Sequence, residues 1–234
     1  MAVIELNALS TALYGSFGAT VLAPENSSLE VGKLYSSLYL LHDLGGDDTD
    51  VRDLPFLQRL ADEQKVFVIA PAIHHSFAMD LPWGGEYGRF VGEELPGIMR
   101  HIFPLSAKSQ YIGGTGWGAY GALMQCITYP DAFAGAVLIN GQFDVARLCQ
   151  DSLSGVGKRI TPKMLEPYFS PLTEAAESDR QIIDKALELK TWVYMGCSSP
   201  DAAEEMARMA GSVGCAVTEG KTQEELFLKA FQNL

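Results

Sequence analysis

Histidine disappears early from this 234-residue chain: the four present are His42, His74, His75 and His101, and none follows position 101. Chemistry that draws an imidazole from anywhere beyond that point is excluded. Long apolar runs are missing too, since no stretch approaches the roughly 18 uncharged residues of a membrane-crossing helix. The opening Met1-Ala2-Val3-Ile4-Glu5-Leu6-Asn7 places no basic region ahead of an apolar stretch, so we expect no secretory signal, no membrane association and a cytoplasmic location. Cysteine is sparse. Cys126, Cys149, Cys197 and Cys215 show no CxxC spacing, which points to buried or idle thiols instead of a disulfide framework or a zinc site. Lys and Arg total 17 against 29 Asp and Glu, a formal charge of −12 that disfavours nucleic acid and anionic lipid as partners. No internal repeat or low-complexity segment occurs.

What the chain does have is a rhythm of apolar runs: Ala19–Ala23, Ser37–Leu41, Val66–Ala70, Tyr111–Ile112, Gly135–Ile139, Thr191–Met195 and Cys215–Val217. Several lack polar alternation, as strands covered on both faces do. Helix-like segments lie between them, at Asp53–Gln64, Gly92–Phe103, Gly118–Thr128, Glu174–Leu189, Pro200–Ala210 and Gln223–Gln232. Alternation of this kind predicts a mainly parallel central sheet flanked by helices on both faces. The length permits one large α/β domain or two small ones, and with no break in the pattern we expect a single domain over residues 1–234. Between Asp144 and Pro171 the rhythm fails, interrupted by Gly155, Gly157, Pro162, Pro167 and Pro171. This predicts a short cap-like excursion after the sixth core strand, covering a ligand site or forming a surface loop with a short helix.

The most informative segment joins a β-like run, Gln110-Tyr111-Ile112-Gly113, to a helix-like run, Ala119 to Cys126, through Gly114-Thr115-Gly116-Trp117-Gly118. Strand, tight glycine-lined turn and helix are the setting in which a nucleophilic serine is presented. The central position here is Gly116, which carries no attacking atom.

Several segments, taken in order, resemble the tributyrin esterase and esterase D family of α/β-hydrolases, which includes S-formylglutathione hydrolases. They are Ala2-Val3-Ile4-Glu5, Val21 to Asn26, Leu38-Tyr39-Leu40-Leu41-His42-Asp43-Leu44-Gly45-Gly46, Ser76 to Asp80, Pro82 to Tyr87, Glu93-Glu94-Leu95-Pro96, Phe103-Pro104-Leu105, and the turn followed by Tyr120-Gly121-Ala122-Leu123. The resemblance spans nearly the whole chain and implies the α/β-hydrolase fold, with a catalytic serine, acid and histidine in that order. Carried over, those positions fall on Gly116, Ser199 (with Asp201 displaced by two) and Lys221, so we read the triad as vacated. The family's oxyanion loop corresponds to His42-Asp43-Leu44-Gly45-Gly46, with Asp43 where the family has glycine. If that position needs a positive φ, Asp43 takes it at a cost, and its carboxylate opposes a developing oxyanion. Asp43, Leu44 and Trp117 thus outline a vestigial oxyanion site.

Other candidates surround it. His42, His74, His75, Ser76 and Trp83 fall near one rim and are candidate pocket residues; the histidines serve either as a metal or anion site or as hydrogen-bonded rim residues, and no HxH or HExxH spacing supports coordination. Trp117 and Trp83 either line a pocket for an apolar or sugar-like ligand or, in the case of Trp117, fill the former acyl site. We therefore expect an esterase-family protein without its triad, needing no cofactor or metal, serving in binding, regulation or assembly. Its partners would be a small apolar or acyl-like ligand, a second copy of itself or an active paralogue. The rival is an active carboxylic ester hydrolase using Ser76 with His42, His74 or His75, or a metal-dependent hydrolase at the same rim.

Overall fold

The apolar runs assemble into one eight-stranded sheet in the computed structural model, which describes residues 2–25, 27, 29–81, 84–155, 160–177 and 182–234. The strands are β1 (Ala2–Ser10), β2 (Gly15–Ala23), β3 (Tyr35–Leu41), β4 (Phe67–Pro71), β5 (Leu105–Thr115), β6 (Gly135–Ile139), β7 (Trp192–Cys197) and β8 (Val217–Glu219), in the spatial order β1-β2-β4-β3-β5-β6-β7-β8. Only the β1–β2 and β2–β4 pairings are antiparallel; from β4 onward every pair is parallel. Every residue of β4 and β6 is buried, which is why these strands read as unbroken apolar runs.

Helices cover both faces. α1 (Pro55–Gln64) and α9 (Gln223–Phe231) bury Leu57, Leu60, Leu226 and Phe227 against Leu22, Leu38, Val68 and Val137 on one side. On the other, α3 (Leu95–Ile102), α4 (Trp117–Thr128), α5 (Val145–Ser154), α6 (Pro162–Phe169) and α8 (Pro200–Val213) close over Tyr39, Ile69, Ile112 and Leu138. A short α2 (Tyr87–Arg89) and a π-helical turn (Phe90–Glu94) lead directly into α3, so that helical segment begins earlier than Gly92.

These elements correct one expectation, the helix over Glu174–Leu189, and add detail elsewhere. β1 is a strand that the apolar pattern alone does not reveal, because as an edge strand it alternates between exposed and half-buried positions. The excursion between β6 and β7 carries two short helices: Gly155, at φ +72°, caps the end of α5 and Pro162 starts α6, Pro167 lies within α6, and Gly157 is outside the described residues. The helix expected over Glu174–Leu189 is a 3₁₀ turn (Leu172–Glu177) and a short α7 (Ile182–Ala186), with residues 178–181 outside the described set. All four cysteines are unpaired, and among the described residues no helix is long and apolar enough to cross a membrane.

Candidate functional site

Parallel pairing brings the C-terminal ends of β3 and β5 side by side, Leu41 opposite Gly114, so the loop after β3 lies directly against the turn into α4. That turn needs its glycines for space. A methyl on Gly114 would sit 2.1 Å from the backbone carbon of Gly118, and one on Gly118 would sit 2.3 Å from the carbonyl oxygen of Leu41. Gly116, at φ +55° and ψ −124°, occupies a conformation that residues with a side chain adopt only under strain, and it caps the N-terminus of α4.

The space that a residue-116 side chain would enter is already filled. A Cβ built on Gly116 would lie 2.3 Å from Cγ, Oδ1 and Oδ2 of Asp43. The Asp43 Oδ1 atom accepts hydrogen bonds from the backbone N–H of Trp117, at 2.7 Å, and from that of Leu44, at 2.7 Å. One donor comes from the first residue of α4 and the other from the loop after β3, and together they form the pair that an oxyanion hole uses in this type of turn. Asp43 keeps one side open to solvent; partial desolvation against the turn raises its carboxyl pKa above the ordinary value, an effect that the two N–H groups and neighbouring His42 only partly offset. Asp43 is not among the positive-φ residues, so the anticipated backbone cost does not arise.

His42 is a fixed part of the loop. Its Nε2 accepts from the backbone N–H of Ile73 at 3.2 Å, which leaves Nδ1 to donate to the carbonyl of Asp43 at 2.8 Å. The same carbonyl accepts from Gly46 N at 3.0 Å. Burial lowers the His42 pKa, in keeping with a neutral ring whose two nitrogens are both engaged. His74 is exposed at φ +51°, edge-on to Tyr87, and His75 is half-buried. Ser76 is 1% exposed, and its Oγ accepts from Ala78 N at 3.1 Å. No hydrogen bond joins Ser76 to a histidine among the described residues, nor does any group of three or more His, Cys, Asp or Glu there adopt a metal-holding arrangement. Trp83 lies outside the described residues.

Trp117 is buried, its ring 5.8 Å from Phe77 and 5.7 Å from Tyr120, in an aromatic group that α6 completes with Tyr168 and Phe169. It also borders a cavity of about 250 Å³ lined by Gln142, Arg147, Asp201 and Glu205. Another cavity, of about 270 Å³, opens beside Asp43 and is edged by Asp47, Asp50 and Asp53. That wall is acidic.

The ends of β7 and β8 are built differently. Ser199 caps the N-terminus of α8 with its backbone only, while Lys221 is exposed and its main-chain N–H donates to Glu225. The loop after β7 is held from the neighbouring strand: Asn140 Oδ1 accepts from Ser198 N at 2.7 Å and from Ser199 N at 3.1 Å. Asn140 sits at φ +48°, a conformation asparagine tolerates better than most. Glu205, from α8, similarly accepts from Phe143 N at 2.7 Å. Sequence reasoning missed Asn140 and Glu205; the asparagine just past an apolar run was the available signal for the first, and the second had none.

The family model for Esterase, described as "Putative esterase", matches residues 10–225. The chain belongs to this esterase family of α/β-hydrolases. A curated relative, an acetyl esterase of Caldicellulosiruptor saccharolyticus, is 27% identical over 174 residues, 70% of this chain; the match spans 65% of that relative's length. Among solved structures, the family fold recurs in an S-formylglutathione hydrolase of Staphylococcus aureus (25% identity, TM-score 0.69, 99% of this chain and 97% of that one). It recurs also in a fluorophosphonate-binding serine hydrolase of the same organism (24%, TM-score 0.70, 99% and 97%) and an S-formylglutathione hydrolase of Agrobacterium tumefaciens (16%, TM-score 0.72, 100% and 99%). The last two likenesses speak to the fold alone.

Proposed function

We propose that this chain is a non-catalytic member of the esterase family, acting as a binding, regulatory or assembly partner. The observation that carries this reading is the Asp43 carboxylate: it fills the space above Gly116 and takes both backbone donors that would otherwise stabilise an acyl oxyanion. Ester hydrolysis by this fold needs an attacking hydroxyl, a base to activate it and an empty donor pair for the developing charge. Gly116 has no hydroxyl, no histidine follows position 101, and the donors are taken. The neighbouring Asp47, Asp50 and Asp53 add negative potential where a tetrahedral intermediate would need positive. An active paralogue or a second copy of this chain fits the role of partner, since neither asks this chain for turnover.

The test is hydrolysis of short acyl p-nitrophenyl esters together with fluorophosphonate labelling. The native chain is expected to show neither, and Gly116→Ser should gain almost nothing, because a serine without its base stays unactivated. Robust turnover that Ser76→Ala abolishes would overturn the reading in favour of a relocated nucleophile.

A further inference from the structure

We propose that Asp43 is an internal ligand: its carboxylate occupies a still-assembled carboxylate-binding site formed by the N–H groups of Leu44 and Trp117, and Gly116 is the residue that makes room for it. The inference deepens the non-catalytic reading, and rests on it, by naming the ligand class that the site selects.

Three observations converge. Both donors meet a single oxygen, Oδ1, each at 2.7 Å, the short length of charge-assisted bonds to a carboxylate. They belong to separate elements, and Trp117 opens a twelve-residue helix whose N-terminal dipole favours an anion. The loop does not rely on the carboxylate for its shape, because the Asp43 carbonyl is held independently by His42 Nδ1 and by Gly46 N, and His42 is held in turn by Ile73 N. Removing the side chain therefore leaves two aligned donors without an acceptor, and a small carboxylate from solution can replace the one removed. Coupling with position 116 follows from the 2.3 Å approach: any side chain there collides with the Asp43 carboxyl group.

The probe is sodium acetate, read out by the backbone amide resonances of Leu44 and Trp117 in the native chain, Asp43→Gly and Asp43→Asn. Asp43→Gly is expected to give saturable shifts at both amides, with at least tenfold tighter apparent binding than native; Asp43→Asn, whose amide oxygen can accept the same two bonds, is expected to stay silent like the native chain. A native response equal to that of Asp43→Gly overturns the proposal, as does a folded Asp43→Gly whose two amides do not move. A thermal cycle supplies the second arm. Gly116→Ala is expected to lower Tm by roughly 6–12 °C in the native background and by clearly less in Asp43→Gly, where the collision is gone and only the backbone strain at φ +55° remains; equal drops in the two backgrounds would remove the coupling. Ester turnover by the native chain would sink the non-catalytic reading while leaving these amide measurements to stand or fall alone.

Discussion

The β3–β5 corner and the β7–β8 corner lie on the same edge of one sheet, yet they differ in what fixes them. At the first, backbone meets backbone, Gly114 against Gly118 and Gly118 against Leu41, and the Asp43 side chain reaches across to Trp117 N. At the second, Ser199 and Lys221 take part only through main-chain groups, and the loop is steadied by the side chain of Asn140, the residue just past β6. Packing preserves the geometry of the donor pair whether or not chemistry happens there. A side chain with no packing role can be exchanged without disturbing the frame around it. The first corner should thus be intolerant of small changes and the second forgiving.

The largest effect is expected for Gly114→Ala. Its methyl would overlap backbone atoms that no rotamer change can move, so we expect a loss of about 3 kcal/mol or more, read as a fall in the denaturant midpoint. A neutral outcome would mean that the turn is looser than its contacts imply, and the contrast between the corners would lose its basis.

His42→Ala comes next, at about 2–3 kcal/mol, because it removes two hydrogen bonds and leaves the Ile73 N–H without its partner. This position also carries a pH signature. Burial holds the folded-state pKa of His42 below the ordinary 6.5, so the unfolded chain binds more protons in the window between the two values. The stability contributed by the neutral ring is complete above about pH 6.5 and is lost as pH falls toward the folded pKa. His42→Gln should flatten this part of the profile; an unchanged slope would show that the ring is not the titrating group.

Much of the fold was legible because the buried parallel strands read as apolar runs, and the turn at Gly114 to Gly118 was legible because its glycines have a steric reason to be there. β1 escaped notice because an edge strand half open to solvent has no apolar run to display. Gly155 and Pro162 marked the excursion between β6 and β7 but not how much helix it holds, because the same residues that break helices also cap and start them. At the site, the missing hydroxyl and the absence of late histidines could be read directly. That Asp43 seats its carboxylate on an N–H 74 residues away could not, since nothing in local sequence encodes that distance.

Asn140→Ala tests the bridge between the corners. It removes the acceptor for Ser198 N and Ser199 N and places alanine at φ +48°, for an expected loss of about 2 kcal/mol. Asn140→Gly relieves the backbone term but not the hydrogen bonds, and so should fall between the variant and the native chain.

The smallest effects belong to Ser199→Ala and Lys221→Ala, each expected within about 0.5 kcal/mol of native. Lys221 is exposed and its recorded bond is made by main-chain N–H, which alanine retains; Ser199 likewise contributes N–H to Asn140 and C=O to Cys197 Sγ, not its hydroxyl. If these positions held a working acid and base, truncation would leave stability alone and abolish an activity. If they are vacant, as proposed, truncation should change neither stability nor any ester turnover above buffer. A measured loss of turnover in Lys221→Ala, with its melting curve unmoved, would turn the forgiving corner into the functional one and reverse the order argued here.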